Sequence, residues 1–180
     1  MTLRLPLVYP ISDKALAGRT SHFTIIRELV RGGATLVQVR DKVTPAVELL
    51  RDLRRCVEFS SDKGVTLIVN DRCDLVLSSG AAGVHLGQDD LPPEAARRIL
   101  PPGAVIGFST HSVNQIRPAG RLPVDYLGFG PIFQTGTKRD AGAVVGLGRL
   151  HAACQCSSKP MVAIGGIRLE HLPSVFQAGA

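Results

Sequence analysis

Aromatic residues make up only 4% of this 180-residue chain, and cysteine occurs four times. No apolar run approaches the ~20 residues that a membrane-spanning helix needs, so no membrane partner is expected. The N-terminal "MTLRLPLVYP" has prolines where the apolar helix of a signal peptide would run. Basic residues outnumber acidic ones, giving a net charge of +6, which favours anionic partners. They form no block, however. They are scattered as Arg51, Arg54–Arg55, Arg97–Arg98 and Lys138–Arg139. A nucleic-acid face usually needs a basic patch with stacking rings, so no nucleic-acid partner is expected. Cys56, Cys73, Cys154 and Cys156 lack zinc-knuckle spacing, and a chain of this length needs no disulfide framework. Free thiols in a reduced cytoplasm are the expectation.

What the chain does have is a repeated pattern. Short β-rich apolar runs recur as "LPLVYPI" (5–11), "ATLVQVR" (34–40), "VTLIVN" (65–70), "AGVHLG" (82–87), "AVIGFS" (104–109), "DYLGFG" (125–130) and "PMVAIGG" (160–166). Helical patterns lie between several of them. "HFTIIRELVRGG" ends in Gly32-Gly33, a good C-cap. "TPAVELLRDLRRCVEFSSDKG" offers Thr44 as N-cap and Pro45 as first helical residue, and ends at Gly64. "DLPPEAARRIL" and "RLEHLPSVFQAG" are weaker, the second interrupted by Pro173, and Pro118 limits the helix of "HSVNQIRPAGRLPVD" to about two turns. Strands that alternate with helices, and are apolar on both faces, predict an α/β fold with a parallel sheet. Seven units at a period of roughly 20–35 residues fit a TIM (β/α)8-type barrel. The first run is not followed by G-x-G-x-x-G, which weakens an open dinucleotide-binding sheet. The length fits a single domain over residues 1–180.

Barrels of this kind place their chemistry at the C-terminal ends of the strands. There the sequence has Gln38, Arg40 and Lys42, whose alternation predicts one side of an extended segment. Further on come Asn70-Asp71, Asp89-Asp90, Ser109-Thr110-His111, Thr135, Thr137 and Lys138, and Gly165-Gly166. Each has a plainer reading. Asn70-Asp71, Asp89-Asp90 and His111 suit helix caps, Arg40 suits a surface ion pair, and "GPIFQTGTKRDAG" (130–142) has the composition of a solvated turn as well as of a phosphate loop. Taken together, they line consecutive strand ends with cations, carboxylates and hydroxyls. Asp71 and Asp90 suit one hard divalent cation, since Mg2+ takes one or two carboxylates plus phosphate oxygens and water. Arg40, Lys42 and Lys138 suit phosphate charge, with Ser109, Thr135 and Thr137 as hydrogen-bond donors.

In this order, "LVQVRDK", "VNDRCDL", "GVHLGQDDLP", "GFSTHS", "YLGFGPIFQTGTKRDAG" and "MVAIGGI" resemble the thiamine-phosphate synthase family from about residue 7 to residue 180. The "GPIFxTxTK" and "HLGQxDL" stretches are specific to it, whereas "AIGGI" is shared by other phosphate-binding barrels. The resemblance implies a transferase of thiamine biosynthesis. It would condense hydroxymethylpyrimidine diphosphate with hydroxyethylthiazole phosphate, by Mg2+-assisted loss of diphosphate. It implies that Gln38, Arg40, Lys42, Asn70, Ser109 and Lys138 meet the pyrimidine diphosphate, with Arg40, Ser109 and Lys138 catalytic. Asp71 and Asp90 would hold Mg2+, and Thr135, Thr137 and Gly166 the thiazole phosphate.

The chain departs from the family pattern at "FQAGA", where an eighth strand and helix would follow. The expectation is therefore a barrel lacking its eighth β/α unit, with impaired catalysis and with a homo-oligomer as one way to cover the gap. Two alternatives belong beside the synthase. One is a thiazole tautomerase on the same barrel, for which His111 would serve acid–base chemistry. The other is a phosphate-binding fragment without activity. Asp71, Asp90 and the "TGTK" loop favour the synthase, because a tautomerase needs no metal–diphosphate clamp.

Overall fold

The computed structural model describes residues 5–19, 21–137 and 142–180. Lys138, one of the expected site residues, lies outside the described residues, as does Arg139. Two compact units emerge from the contacts. One comprises the chain up to His85 together with Ala95–Val105, the other Leu86–Glu94 together with Ile106–Ala180.

In the first unit, β1 (Ile11–Ser12) is followed by α1 (Lys14–Ala17) and α2 (His22–Arg31). Next come β2 (Leu36–Val39), α3 (Ala46–Asp62), β3 (Thr66–Asn70), α4 (Cys73–Ser79) and β4 (Gly83–Leu86), with α5 (Pro93–Ile99) beginning beyond it. The strands pair in parallel in chain order, with Gln38 opposite Ile68 and Asn70 opposite His85. β2 is buried along its whole length: Leu36, Val37, Gln38 and Val39 are each no more than 4% exposed. Burial of its three aliphatic side chains contributes about 1.5–3 kcal/mol each. α3 covers the sheet with Leu49, Leu53, Cys56 and Ser60, a stripe at helical spacing. Its contact with α2 includes the edge-on ring pair Phe23–Phe59, at 5.5 Å, with the Arg55 guanidinium 4.6 Å above the Phe23 ring.

The second unit runs through β5 (Val105–Thr110), α6 (Val113–Gly120), β6 (Tyr126–Phe129), α7 (Gly146–Cys156) and β7 (Met161–Ala163). A 3-10 turn at Leu169–His171 leads into α8 (Leu172–Gln177). β5, β6 and β7 again pair in parallel in chain order. Tyr126, Leu127 and Phe129 of β6 are fully buried.

Each apolar run of the sequence meets a strand, but the first contributes only its last residue, Ile11, to β1. Pro10 has no N–H for a ladder; only its carbonyl takes part, accepting from Gln38 N–H at 3.0 Å. Leu7 and Val8 before it are 81% and 58% exposed. Thr44 is not the N-cap of α3. Pro45 holds that place, and its carbonyl accepts from the N–H groups of Glu48 and Leu49, both at 3.0 Å. Pro173 opens α8 instead of interrupting a helix, as its missing N–H allows in a first turn. Pro118 lies inside α6, whose eight residues are the expected two turns.

Candidate active site

In the first unit, the chain leaves β1 at Ser12 and β2 at Val39, and polar residues take over at both points. Asp13 caps α1 through Oδ1, accepting from the N–H groups of Ala15 (3.1 Å) and Leu16 (3.3 Å). Its Oδ2 accepts from Arg40 Nη1 at 2.7 Å, so Arg40 is ion-paired and only 23% exposed. Gln38, inside β2, donates from Nε2 to the Tyr9 hydroxyl at 3.3 Å. Arg40 and Lys42 lie just beyond the end of β2; Arg40 N–H still bonds the Ser12 carbonyl at 2.9 Å, and Lys42 is on the loop that follows. Lys42 Nζ reaches the Asp71 carboxylate.

Asp71 follows β3 in the left-handed region, at φ 64°. Asp and Asn visit that region more readily than most residues, and such positions concentrate at functional sites. Its N–H bonds the His85 carbonyl at 2.8 Å, one residue beyond the Asn70–His85 register pair. Neither Asn70 nor Asp71 caps α4. Arg72 precedes that helix without a side-chain cap bond, which removes the plain explanation for the Asn-Asp pair.

In the second unit, a tight turn follows β4. Asp90 Oδ2 accepts from Gly87 N–H at 2.7 Å, and Asp90 N–H returns to the Gly87 carbonyl at 3.4 Å. Gln88, between them, donates from Nε2 to the Ser109 carbonyl at 2.5 Å and accepts from Gln115 Nε2 at 3.4 Å. The N-cap of α6 is Ser112, not His111. Gln115 Oε1 accepts from the N–H groups of His111 (2.7 Å) and Ser112 (3.2 Å). His111 Nδ1 lies 2.8 Å from the Gly130 carbonyl, to which only a ring N–H can donate. Thr110 is buried and donates to the Gly128 carbonyl at 2.8 Å.

The loop beyond β6 is fixed against the end of β7. Ile132 N–H bonds the Ile164 carbonyl and Phe133 N–H the Gly165 carbonyl, both at 2.9 Å. This closeness requires glycine. A Cβ on Gly166, at φ 63°, would sit 2.3 Å from the Gln134 carbonyl oxygen, and one on Gly165 would sit 2.5 Å from Pro131 Cβ. Gly166 is thereby placed beside Phe133-Gln134, and Thr137 N–H turns back to Thr135 Oγ1 at 3.3 Å. Thr135 and Thr137 thus share one turn beyond β6, and Gly166 packs on the Phe133-Gln134 backbone that leads into it. The Phe133 ring stacks on His171, with centroids 4.0 Å apart.

Several polar groups escape the strand-end reading. Gln115 carries a recognisable signal, since it stands three residues after Ser112 in a capping-box pattern. Asp41, between two cations, and His22, within an apolar helical pattern, carry no such local signal.

The donor chemistry suits a hard cation: Asp71 and Asp90 each offer carboxylate oxygens at a strand end, and that of Asp71 already holds an ammonium. Among the described residues, no group of three or more His, Cys, Asp or Glu side chains is placed to hold a metal. A site that completes its shell with phosphate oxygens and water needs no such group.

Parallel strands with crossover helices, and charged or hydroxylic groups just beyond the strands, define an α/β protein of the TIM-barrel type. The chain belongs to the thiamine monophosphate synthase family, whose model matches residues 8–180. It is 46% identical over 187 residues to the thiamine-phosphate synthase of Koribacter versatilis, covering 99% of this chain and 86% of that protein. It is 43% identical over 173 residues to the thiamine-phosphate synthase of Azorhizobium caulinodans, covering 96% and 82%. Among solved structures, the thiamine phosphate pyrophosphorylase of Pyrococcus furiosus superposes with a TM-score of 0.86 at 34% identity, covering 96% of this chain and 81% of that one. The N-acetylmannosamine-6-phosphate 2-epimerase of Clostridium perfringens, with a TM-score of 0.67 at 13% identity, shares the fold alone. Membership of this family makes the chain a transferase of thiamine biosynthesis. No helix among the described residues is long and apolar enough to cross a membrane.

Proposed function

We propose that this chain joins hydroxymethylpyrimidine diphosphate to hydroxyethylthiazole phosphate, giving thiamine monophosphate and diphosphate. One observation carries the reading: Lys42, next but one to Arg40 and beyond β2, lies on the carboxylate of Asp71 beyond the paired strand β3, so a cation that would meet phosphate and a carboxylate that would hold a metal lie at neighbouring strand ends. Gln38, Arg40, Lys42 and Asn70 would receive the pyrimidine diphosphate in the first unit. Ser109 and Lys138 would complete that contact, and Thr135, Thr137 and Gly166 would take the thiazole phosphate.

The reaction needs no protein nucleophile. The methylene C–O bond breaks with its electron pair leaving on diphosphate, and the aminopyrimidine spreads the resulting positive charge. The thiazole nitrogen then donates its lone pair to the methylene carbon, so bonds and charge balance without oxidant or reductant. Mg2+, held by Asp71 and Asp90 and by phosphate oxygens, would supply neutralisation of the departing charge. Arg40, Lys42 and Lys138 would act on the same charge through hydrogen bonds, and Thr135, Thr137 and Gly166 would fix the attacking ring. A cytoplasmic location belongs to the same reading, supported by four cysteines that are all free thiols.

The experiment supplies both substrates with Mg2+ and follows diphosphate and thiamine phosphate. Equal formation of both is expected. Asp71→Asn and Lys138→Ala should each lower kcat by about 10²-fold, the scale of removing one charge-stabilising group. Turnover unchanged in both variants would refute the site. Isomerisation of a thiazole precursor without diphosphate release would point instead to tautomerase chemistry.

A further inference from the structure

Behind the loop that carries Arg40 and Lys42 lies a buried polar chain that the reaction does not use. Asp41, 2% exposed at its side chain, stands between those two cations. Its Oδ1 accepts from the N–H groups of Val43 (3.0 Å) and Thr44 (2.9 Å). Its Oδ2 accepts from Thr44 Oγ1 at 2.7 Å, from Lys14 Nζ at 3.1 Å and from His22 Nε2 at 3.1 Å. His22, fully buried, faces Ser12 Oγ at 2.8 Å through Nδ1. The backbone of His22 is tied separately: its N–H donates to Asp52 Oδ2 at 2.6 Å.

The polarity of the chain is self-consistent. A neutral imidazole donates from one nitrogen and accepts at the other. Nε2–H therefore donates to Asp41, and the Ser12 hydroxyl donates to Nδ1. Serine, histidine and aspartate here form no nucleophile, because Ser12 is fully buried and no substrate atom can reach it. What the chain does is fasten the residue between Arg40 and Lys42 to the end of β1 and to the first turn of α2. Buried polar chains of this sort specify one arrangement where an apolar core would tolerate several. Core packing alone would have been served by an aliphatic residue at position 22.

We propose that Asp41 and His22 are positioning residues, which hold the Arg40–Lys42 loop in the arrangement that receives a diphosphate group. The inference rests on the reading of Arg40 and Lys42 given above, and it concerns residues that touch neither substrate. Loop misplacement by about 1 Å is enough to cost 10²-fold in rate.

The test measures the KM of each substrate separately, the affinity for inorganic pyrophosphate with Mg2+ by calorimetry, and the melting temperature. Asp41→Asn and His22→Leu are expected to raise the KM for the pyrimidine diphosphate about tenfold and to weaken pyrophosphate binding equally, about 1.4 kcal/mol. The KM for the thiazole phosphate should stay within about twofold, since Thr135, Thr137 and Gly166 are untouched. His22→Gln, which restores an N–H toward Asp41, should recover most of the loss. Variants that melt earlier yet bind pyrophosphate like the wild type would make the chain merely structural and overturn the proposal. Ser12→Ala removes only the distal hydroxyl and serves if the stronger variants fail to fold; a weakening of about threefold is expected, and unchanged affinity would overturn the proposal. The two readings fail separately. A wild type that binds pyrophosphate but makes no thiamine phosphate sinks the function, while the variants still report on the loop. An active wild type with unaffected variants sinks only the loop assignment.

Discussion

Ser60 sits in the buried stripe of α3, 1% exposed, and its hydroxyl finds no hydrogen-bond partner among the described residues. A buried hydroxyl without a partner costs stability, so Ser60→Ala should leave the melting temperature unchanged or raise it. A clear fall would mean that the hydroxyl is bonded. One turn earlier in the same stripe, burial, with a smaller contribution from the Asp52 charge, pushes the Cys56 thiol up to about 12. Because the thiolate is the reactive form, Cys56 should resist iodoacetamide in the native protein and react only on unfolding, whereas the half-buried Cys156 should react first. Peptide mapping of the labelled protein checks the order. Gly166 offers a third residue-scale test. Gly166→Ala meets both a left-handed backbone and the Gln134 carbonyl, so it should cost about 1–3 kcal/mol of stability. Differential scanning calorimetry measures it, and a neutral result would contradict the close packing of the loop on β7.

The elements show which sequence signals suffice and which do not. α3 is legible because Leu49, Leu53 and Cys56 repeat at helical spacing over seventeen residues. α7 is not, because Gly146 and Gly148 stand in its first turn and its apolar face is weakly marked. Only its packing makes it a helix. α2 starts at Ser21, and Asp52 of α3 reinforces that start from outside, accepting from Ser21 Oγ at 3.2 Å and from His22 N–H at 2.6 Å. Asp52→Ala should therefore destabilise by about 1 kcal/mol, on the scale of a lost helix cap, visible as a lower denaturant midpoint with unchanged slope. No local pattern announces that bond, since its partners are thirty residues apart.

At the scale of the whole molecule, the buried polar chain links folding to pH. Burial holds the His22 ring below its ordinary 6.5, although Asp41 beside it pulls the other way and Lys14 and Asp52 also face it. The unfolded chain therefore takes up this proton first as pH falls, and the stability contributed by neutral His22 is lost below about 6.5. Asp41 is held below the ordinary carboxylate range, chiefly by the hydrogen bonds of Thr44 against the opposing effect of burial, so its contribution is present above about 3.8 and disappears at lower pH. The melting temperature should thus fall between pH 6.5 and 5, and His22→Gln should flatten that limb. A wild-type profile flat over that window would refute the assignment of a neutral buried ring.

The sequence by itself determined the class of fold, because both-face burial makes each parallel strand an unbroken apolar run that can be counted without coordinates. It also determined the chemical character of the strand ends: Gln38, Arg40, Lys42, Asp71, Asp90 and the Thr135–Thr137 loop stand within the last residues of those runs or shortly after them. Tertiary structure alone decided the rest: that Arg40 pairs with Asp13, that Lys42 lies on Asp71, that Gly166 packs against Gln134, and that His22 and Asp41 meet within the core. Contacts of that kind join residues from separate βα units, and their distances are set by the packing of helices on strands, which no periodicity within one unit records.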